Sequence, residues 1–146
     1  MPPLMKPVNT ISRCQEIFRL HKIEAEELRP GHYPFILTIC RQPGLSQDAI
    51  AREIFVDKST VARVLAHLEK AGYVTRIACE KDKRRSLVYP TEKMLGILPE
   101  VKQVSTEWRS LLSEGIPEAE LTIFHSVLER MEMRAREIVE RQEEEK

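Results

Sequence analysis

Residues 45–91 read LSQDAIAREIFVDKSTVARVLAHLEKAGYVTRIACEKDKRRSLVYPT, and this stretch leaves few folds open to the chain. It begins with two short runs at helical spacing. Ile50, Ala51 and Ile54 share one face of the first run. Ser46 is placed to cap it, because a serine hydroxyl accepts from an unpaired backbone N–H of the opening turn. Val56-Asp57-Lys58-Ser59 interrupts the pattern. Val61, Val64, Leu65 and Leu68 then form the apolar stripe of a second helix, which Ala71-Gly72 ends. Glycine takes the left-handed conformation of a helix C-cap without steric cost. The period changes after that. Tyr73–Ile77 and Leu87–Tyr89 are rich in β-branched and aromatic residues, and a loop with Lys81, Asp82, Lys83, Arg84 and Arg85 lies between them. Two such runs around a charged loop predict a hairpin.

Helix, turn, helix, hairpin is the winged helix-turn-helix pattern. In that arrangement the second helix lies in a DNA major groove, and the hairpin loop reaches the backbone or the adjacent minor groove. The chain has 146 residues, room for a single domain, and formal net charge zero, so only the distribution of charge is informative. Residues 76–85 carry five bases (Arg76, Lys81, Lys83, Arg84, Arg85) against two acids (Glu80, Asp82). Residues 129–146 carry seven acids against five bases. Positive charge therefore gathers on the wing, where phosphates would be met.

The flanking segments read as helices. Met1–Pro7, with three prolines, predicts an extended arm. Asn9 or Thr10 is positioned to cap a helix whose stripe runs Ile11, Cys14, Phe18, His21, Ala25, Leu28, up to the breaker Arg29-Pro30-Gly31. Pro34 suits the first turn of a buried helix made of Phe35, Ile36, Leu37, Ile39 and Cys40. Beyond the hairpin, Thr91 caps a long helix with Met94, Leu98, Val101, Val104, Trp108, Leu111 and Leu112, bent or short of one hydrogen bond where Pro99 interrupts it. Gly115 stops that helix and Pro117 starts the last. Leu121, Phe124, Leu128, Met131, Ala135 and Ile138 follow one another by steps of three and four. Such an a/d seam on a terminal helix predicts pairing with a second copy, against packing on the chain's own helices. The fold class expected is mainly α: about six helices plus a β-hairpin wing, with N- and C-terminal dimerisation helices. Residues 1–146 form one domain, with a DNA-reading lobe at 33–90 and a dimerisation lobe combining 8–29 with 91–142.

The sequence resembles the MarR family of transcriptional regulators. The matching residues are LSQDAIA, then DKSTVARVLAHLEKAGYVTR, then DKRRSLVYPTEK. One departure is Met94, where the family commonly has glycine; methionine continues a helix. The resemblance implies a homodimer that binds palindromic operators, most often as a repressor, and is released by a small-molecule effector or an oxidant. It also implies a ligand pocket between the lobes, which here would involve His21, Tyr33, Phe35 and Trp108.

The residues expected to face DNA are Ser46, Lys58, Ser59, Thr60, Arg63, Lys81, Asp82, Lys83, Arg84 and Arg85. Ser59 and Thr60 suit phosphates or base edges, and Arg63 suits a guanine. If Ser59 merely caps its helix, alanine there costs stability and not selectivity. Asp82 is expected to hold the Arg84 guanidinium in one rotamer, with Lys81, Lys83 and Arg85 on phosphates. Ile11, Phe18, Leu121, Phe124, Leu128, Met131 and Ile138 are the expected dimer interface.

Three cysteines without CxxC spacing argue against disulfides and zinc. Cys14, on an apolar stripe, is expected to be buried and inert, Cys40 to be core, and Cys79 to be the most exposed. A redox sensor acting through Cys14 or Cys79 is an alternative. His21, Glu24, His32 and His125 lack ligand spacing, so no metal or other cofactor is expected. No phosphate loop, nucleophile motif or carboxylate cluster points to an enzyme. A winged-helix adaptor for another protein is the competing class, disfavoured by the basic wing. With no membrane span and no signal peptide, the chain is expected in the cytoplasm.

Overall fold

The structure is a computed structural model that describes residues 1–146. In chain order the elements are α1 (Met5–Leu20), a 3-10 turn (Pro30–His32), α2 (Tyr33–Arg41), β1 (Leu45–Ser46), α3 (Gln47–Ile54), α4 (Lys58–Lys70), β2 (Val74–Ala78), β3 (Ser86–Pro90), α5 (Glu92–Leu112) and α6 (Glu118–Glu144). The three strands form an antiparallel sheet in the order β1-β3-β2. The fold class expected from sequence, mainly helical with a hairpin wing, is the one observed. The chain divides into two compact units, residues 1–108 and residues 109–146.

The core of the first unit is built on α2. Ile36 and Ile39 belong to one buried cluster with Ile50 of α3, Val61, Leu65 and Leu68 of α4, Val74 and Val88 of the sheet, and Met94 and Val101 of α5, all essentially without exposure. Each such side chain contributes roughly 1.5–3 kcal/mol by leaving water. The helix-turn-helix is set by two local devices. Phe55 closes α3 in the left-handed region (φ 56°), and Asp57 caps α4 by accepting from the Thr60 amide. The turn is therefore Phe55–Asp57, and Lys58 and Ser59 open α4.

α4 ends as its glycine predicts. Gly72 has φ +84°, its N–H donates to Glu69 O and that of Tyr73 to Leu68 O, the pattern that satisfies the last carbonyls of a helix. The Thr91 hydroxyl donates to the carbonyls of Gly72 and Tyr73 and accepts from the Met94 amide, so it caps α5 and ties that helix to the end of α4. β1, too short to carry a period, was not foreseen. Its two residues pair with Val88 and Leu87 and join the start of α3 to the wing. Gly44 precedes it at φ +93°, where a Cβ would lie 3.2 Å from the Tyr89 hydroxyl.

The N-terminal segment departs from expectation twice. α1 starts at Met5, inside the proline-rich arm, because Pro7 falls in the first turn, where no amide is needed. Thr10 does not cap it; its hydroxyl donates back to Lys6 O. The helix also stops at Leu20, although the apolar spacing runs on to Leu28. Leu28 reaches the core from the following loop, while no residue of α1 itself is buried. Pro99 lies within α5, which continues through it. In the second unit α6 runs for 27 residues from its Pro117 cap with none buried. No helix is long and apolar enough to cross a membrane.

Candidate nucleic-acid interface

Burying Val61, Leu65 and Leu68 turns the opposite face of α4 outward. Lys58, Ser59 and Arg63 are exposed on it, and Thr60 is half-buried. Asp57 organises its first turn. The Ser59 hydroxyl donates to Oδ2 at 2.5 Å, the Thr60 hydroxyl to Oδ1 at 2.7 Å, and the Thr60 amide to Oδ2 at 2.9 Å. The Ser59 hydroxyl, then the Thr60 hydroxyl and amide, hold this carboxyl well below the usual carboxylate range. Asp57 is thus the cap, and Ser59 is not. Asp57 stands three residues before Thr60, which is the spacing that would have disclosed it.

The wing loop carries Lys81, Asp82, Lys83, Arg84 and Arg85, all exposed. Asp82 does not hold the Arg84 guanidinium. Its Oδ1 accepts from the Arg84 backbone N–H at 3.0 Å, and its carbonyl accepts from the Arg85 N–H at 3.0 Å. An aspartate two residues before an amide bonds it in preference to a longer, more mobile side chain, so Asp82 shapes the loop backbone. Arg85 leans inward, donating to Ser46 Oγ at 3.3 Å. Ser46 itself is 6% exposed, its oxygen taken by the Ala49 amide at 3.1 Å and by Arg85. It is a cap and a wing anchor, and of the residues expected to face DNA it is the buried one. Ser46, Gln47, Asp48, Arg84, Arg85 and Ser86 line a cleft of about 130 Å³ between the start of α3 and the wing.

Arg76, counted with the basic wing, is committed elsewhere. From β2 it donates to both Glu69 oxygens, at 2.9 and 3.3 Å, and to Gln47 Oε1 at 2.9 Å. Its hydrogen bond is the main reason the Glu69 carboxyl sits low, and Glu69 in turn holds the guanidinium protonated. One side chain thereby links the sheet to α3 and to the far end of α4. The arrangement presents exposed cations on α4 and the wing around a polar helix face, which is chemistry suited to a polyanion with readable edges.

The residues expected to line a ligand pocket fall into different settings. Tyr33 and Phe35 fill the core of the first unit. Tyr33 donates to Arg19 O at 3.3 Å under the Arg19 guanidinium, and burial raises its phenol. Trp108 is half-buried with its ring 5.2 Å from that of Phe18, and His21 is exposed at the end of α1. Phe18, assigned to the dimer interface, thus already has an intrachain partner. The other assigned interface residues remain uncovered: Ile11, Phe124, Leu128, Met131 and Ile138 are exposed and Leu121 is half-buried. Ile17, Ile123 and Met133, which the seam did not single out, are the most open apolar side chains of these two helices, at 61–65%.

The cysteine order is reversed from expectation. Cys14 is exposed, on a helix that buries none of its residues, while Cys79 is half-buried. Cys40 is half-buried against the core, and burial raises its thiol.

The sequence model of the MarR family matches residues 27–85, the segment holding both helices of the motif and most of the wing. The uncharacterized HTH-type transcriptional regulator YybA of Bacillus subtilis strain 168 is 24% identical over 131 residues, which are 90% of this chain and 87% of that one. Among solved structures, a MarR transcriptional regulator from Methanosarcina mazei Go1 is 29% identical, with 92% of this chain and 96% of that one covered and a TM-score of 0.85. A MarR family regulator from Listeria monocytogenes, complexed with 26mer DNA, is 20% identical and matches in fold, with 94% and 91% covered and a TM-score of 0.88.

Proposed function

We propose that the chain is a DNA-binding transcriptional regulator of the MarR type, and that it acts as a homodimeric repressor of palindromic operators, released by a signal. The observation that carries the DNA-reading assignment is the split of α4. Val61, Leu65 and Leu68 of its apolar stripe are fully buried, and Lys58, Ser59 and Arg63 stand outside with the basic wing loop. In this reading α4 enters the major groove with Arg63 forked onto a guanine. The wing, led by Arg84, takes the backbone or the adjacent minor groove.

Dimerisation is supported by α1 and α6, neither of which buries a residue within the chain. Two copies paired through these faces would set two α4 helices on half-sites of a palindrome. The region near the end of α1, where Arg19 covers Tyr33 and Lys22 pairs with Glu107 at 3.0 Å, is the proposed place for an effector to act. Exposure of Cys14 favours a second reading of the signal, oxidation of that thiol. Mild peroxide followed by peptide mass spectrometry decides between them: an unmodified Cys14 ends the redox reading.

The test of the main reading is selection of duplexes from a random library by the purified chain. A two-fold symmetric consensus is expected, and Arg84→Ala should lose affinity for it while melting as wild type does. No enriched sequence, or an Arg84→Ala affinity equal to wild type at matched salt, would overturn it.

A further inference from the structure

We propose that Asp57 sets what Ser59 and Thr60 recognise, turning both hydroxyls into acceptors selective for the exocyclic amino group of a base, adenine N6 or cytosine N4. The inference rests on α4 being the reading helix and goes on to name the chemistry it reads.

A hydroxyl has one proton, and an ionised carboxylate only accepts. Ser59 and Thr60 each give that proton to Asp57, at 2.5 and 2.7 Å, through different carboxylate oxygens. What remains to face outward on both is lone pairs. Among the groups a major groove presents, only adenine N6 and cytosine N4 donate; N7, guanine O6 and thymine O4 accept, as phosphate oxygens do. A hydroxyl that turned to a phosphate would abandon Asp57. It would also bring an anion beside a carboxylate already ionised at any pH where DNA is bound. The same carboxylate offsets the positive end of α4 that otherwise draws phosphate. The first turn of α4 is therefore arranged for bases, and phosphate contacts fall to the wing.

The geometry adds a register. Arg63 lies three residues after Thr60 and four after Ser59, so each of them neighbours Arg63 on the helix surface, about 5–6 Å away. The guanine met by Arg63 and the amino-bearing base belong within about two base pairs of one another, given a rise of about 3.4 Å per step.

The experiment starts from the operator selected by the full-length protein. In each half-site adenine is replaced singly by purine, which lacks the N6 amino group, and cytosine by 2-pyrimidinone, which lacks N4. Phosphates are separately neutralised as methylphosphonates. Binding is compared at fixed salt for wild type, Ser59→Ala, Thr60→Ala and Asp57→Asn, with melting curves as the folding control. Asparagine keeps the helix cap but offers an amino donor to one hydroxyl, freeing that proton.

The expected result is that one or two amino deletions cost wild type roughly tenfold and cost the matching alanine variant less than about twofold, with base contacts of this kind on the scale of 1–3 kcal/mol. Asp57→Asn should melt like wild type yet lose discrimination against the same deletions. The inference is overturned if no amino deletion affects wild type. It is equally overturned if both alanine variants lose as much as wild type does, or if their losses couple to neutralised phosphates. If Arg63→Ala retains full affinity for the selected operator, the reading of α4 as the base-contacting helix fails first and takes this inference with it.

Discussion

α4 and α6 are both amphipathic helices, and the chain treats them oppositely. α4 has 13 residues and sinks Val61, Leu65 and Leu68 completely into its own core. α6 has 27 residues and sinks none, leaving Phe124 60% and Ile123 65% exposed. A helix whose apolar side is already satisfied is held rigid by its own chain and has only a polar face to offer. A helix whose apolar side is unsatisfied offers that side, and its stability is tied to whatever covers it. The division is what supports proposing recognition for the first and assembly for the second, and each proposal can be broken separately.

The largest effect belongs to the buried side of α4. Leu65→Ala removes a side chain with no exposure and should cost about 2–5 kcal/mol of unfolding free energy in a denaturant titration. A loss below about 1 kcal/mol would mean that α4 is not held by its core contacts and the comparison fails. On α6, Leu128→Glu introduces a charge at the middle of the exposed seam and should weaken the dimer by roughly a hundredfold, about 2.7 kcal/mol. Sedimentation across a concentration series reads this. A dimer of unchanged affinity would put the interface elsewhere. On the polar side of α4, Arg63→Ala should leave melting and sedimentation as they are while operator affinity falls about tenfold, or ~1.4 kcal/mol. A change in melting would show that the exposed face of α4 is also structural.

The same contrast explains what the sequence disclosed. Where an apolar stripe is buried by its own chain, as in α2, α3 and α4, spacing located the element, and the caps Ser46 and Gly72 marked its ends. The limits of α1 were not legible, because its apolar spacing runs into residues that serve the core from a loop, and because a proline in a first turn is compatible with helix. The surface polar bonds were misread where a side chain had a choice of partners. Asp82 takes an amide in place of a guanidinium, and Arg76 takes Glu69 and Gln47 in place of solvent or phosphate. The choice Arg76 makes spans 7 residues to Glu69 and 29 to Gln47, and spacing along one helix does not carry it. Cys14 was misplaced for the reason that separates α4 from α6: an apolar stripe says which face is sticky, and it does not say whether the chain itself covers it.

The smallest effect concerns how the last turn of α4 is fastened. His67 stands on its exposed side and its Nε2 bonds the Glu27 carbonyl, which makes Nε2 the donor. Its ring lies 5.1 Å from that of His32, whose Nδ1 accepts the Arg29 N–H at 3.0 Å. The other charges nearby are Arg29 itself and the Glu27–Lys93 pair at 3.8 Å. Burial, and then the charges of His67 and Arg29, lower the His32 imidazole from its usual value. Protonation would remove the acceptor that the Arg29 amide uses. A base with a depressed native pKa binds fewer protons folded than unfolded, so its contribution to stability is full above the unfolded value near 6.5 and is lost as pH falls through the native one. Unfolding free energy should therefore decline between pH 7 and pH 5, and His32→Gln should flatten that decline while Leu128→Glu should not. An equal slope in wild type and His32→Gln would place the acid sensitivity outside this histidine pair and leave α4 held by its buried side alone.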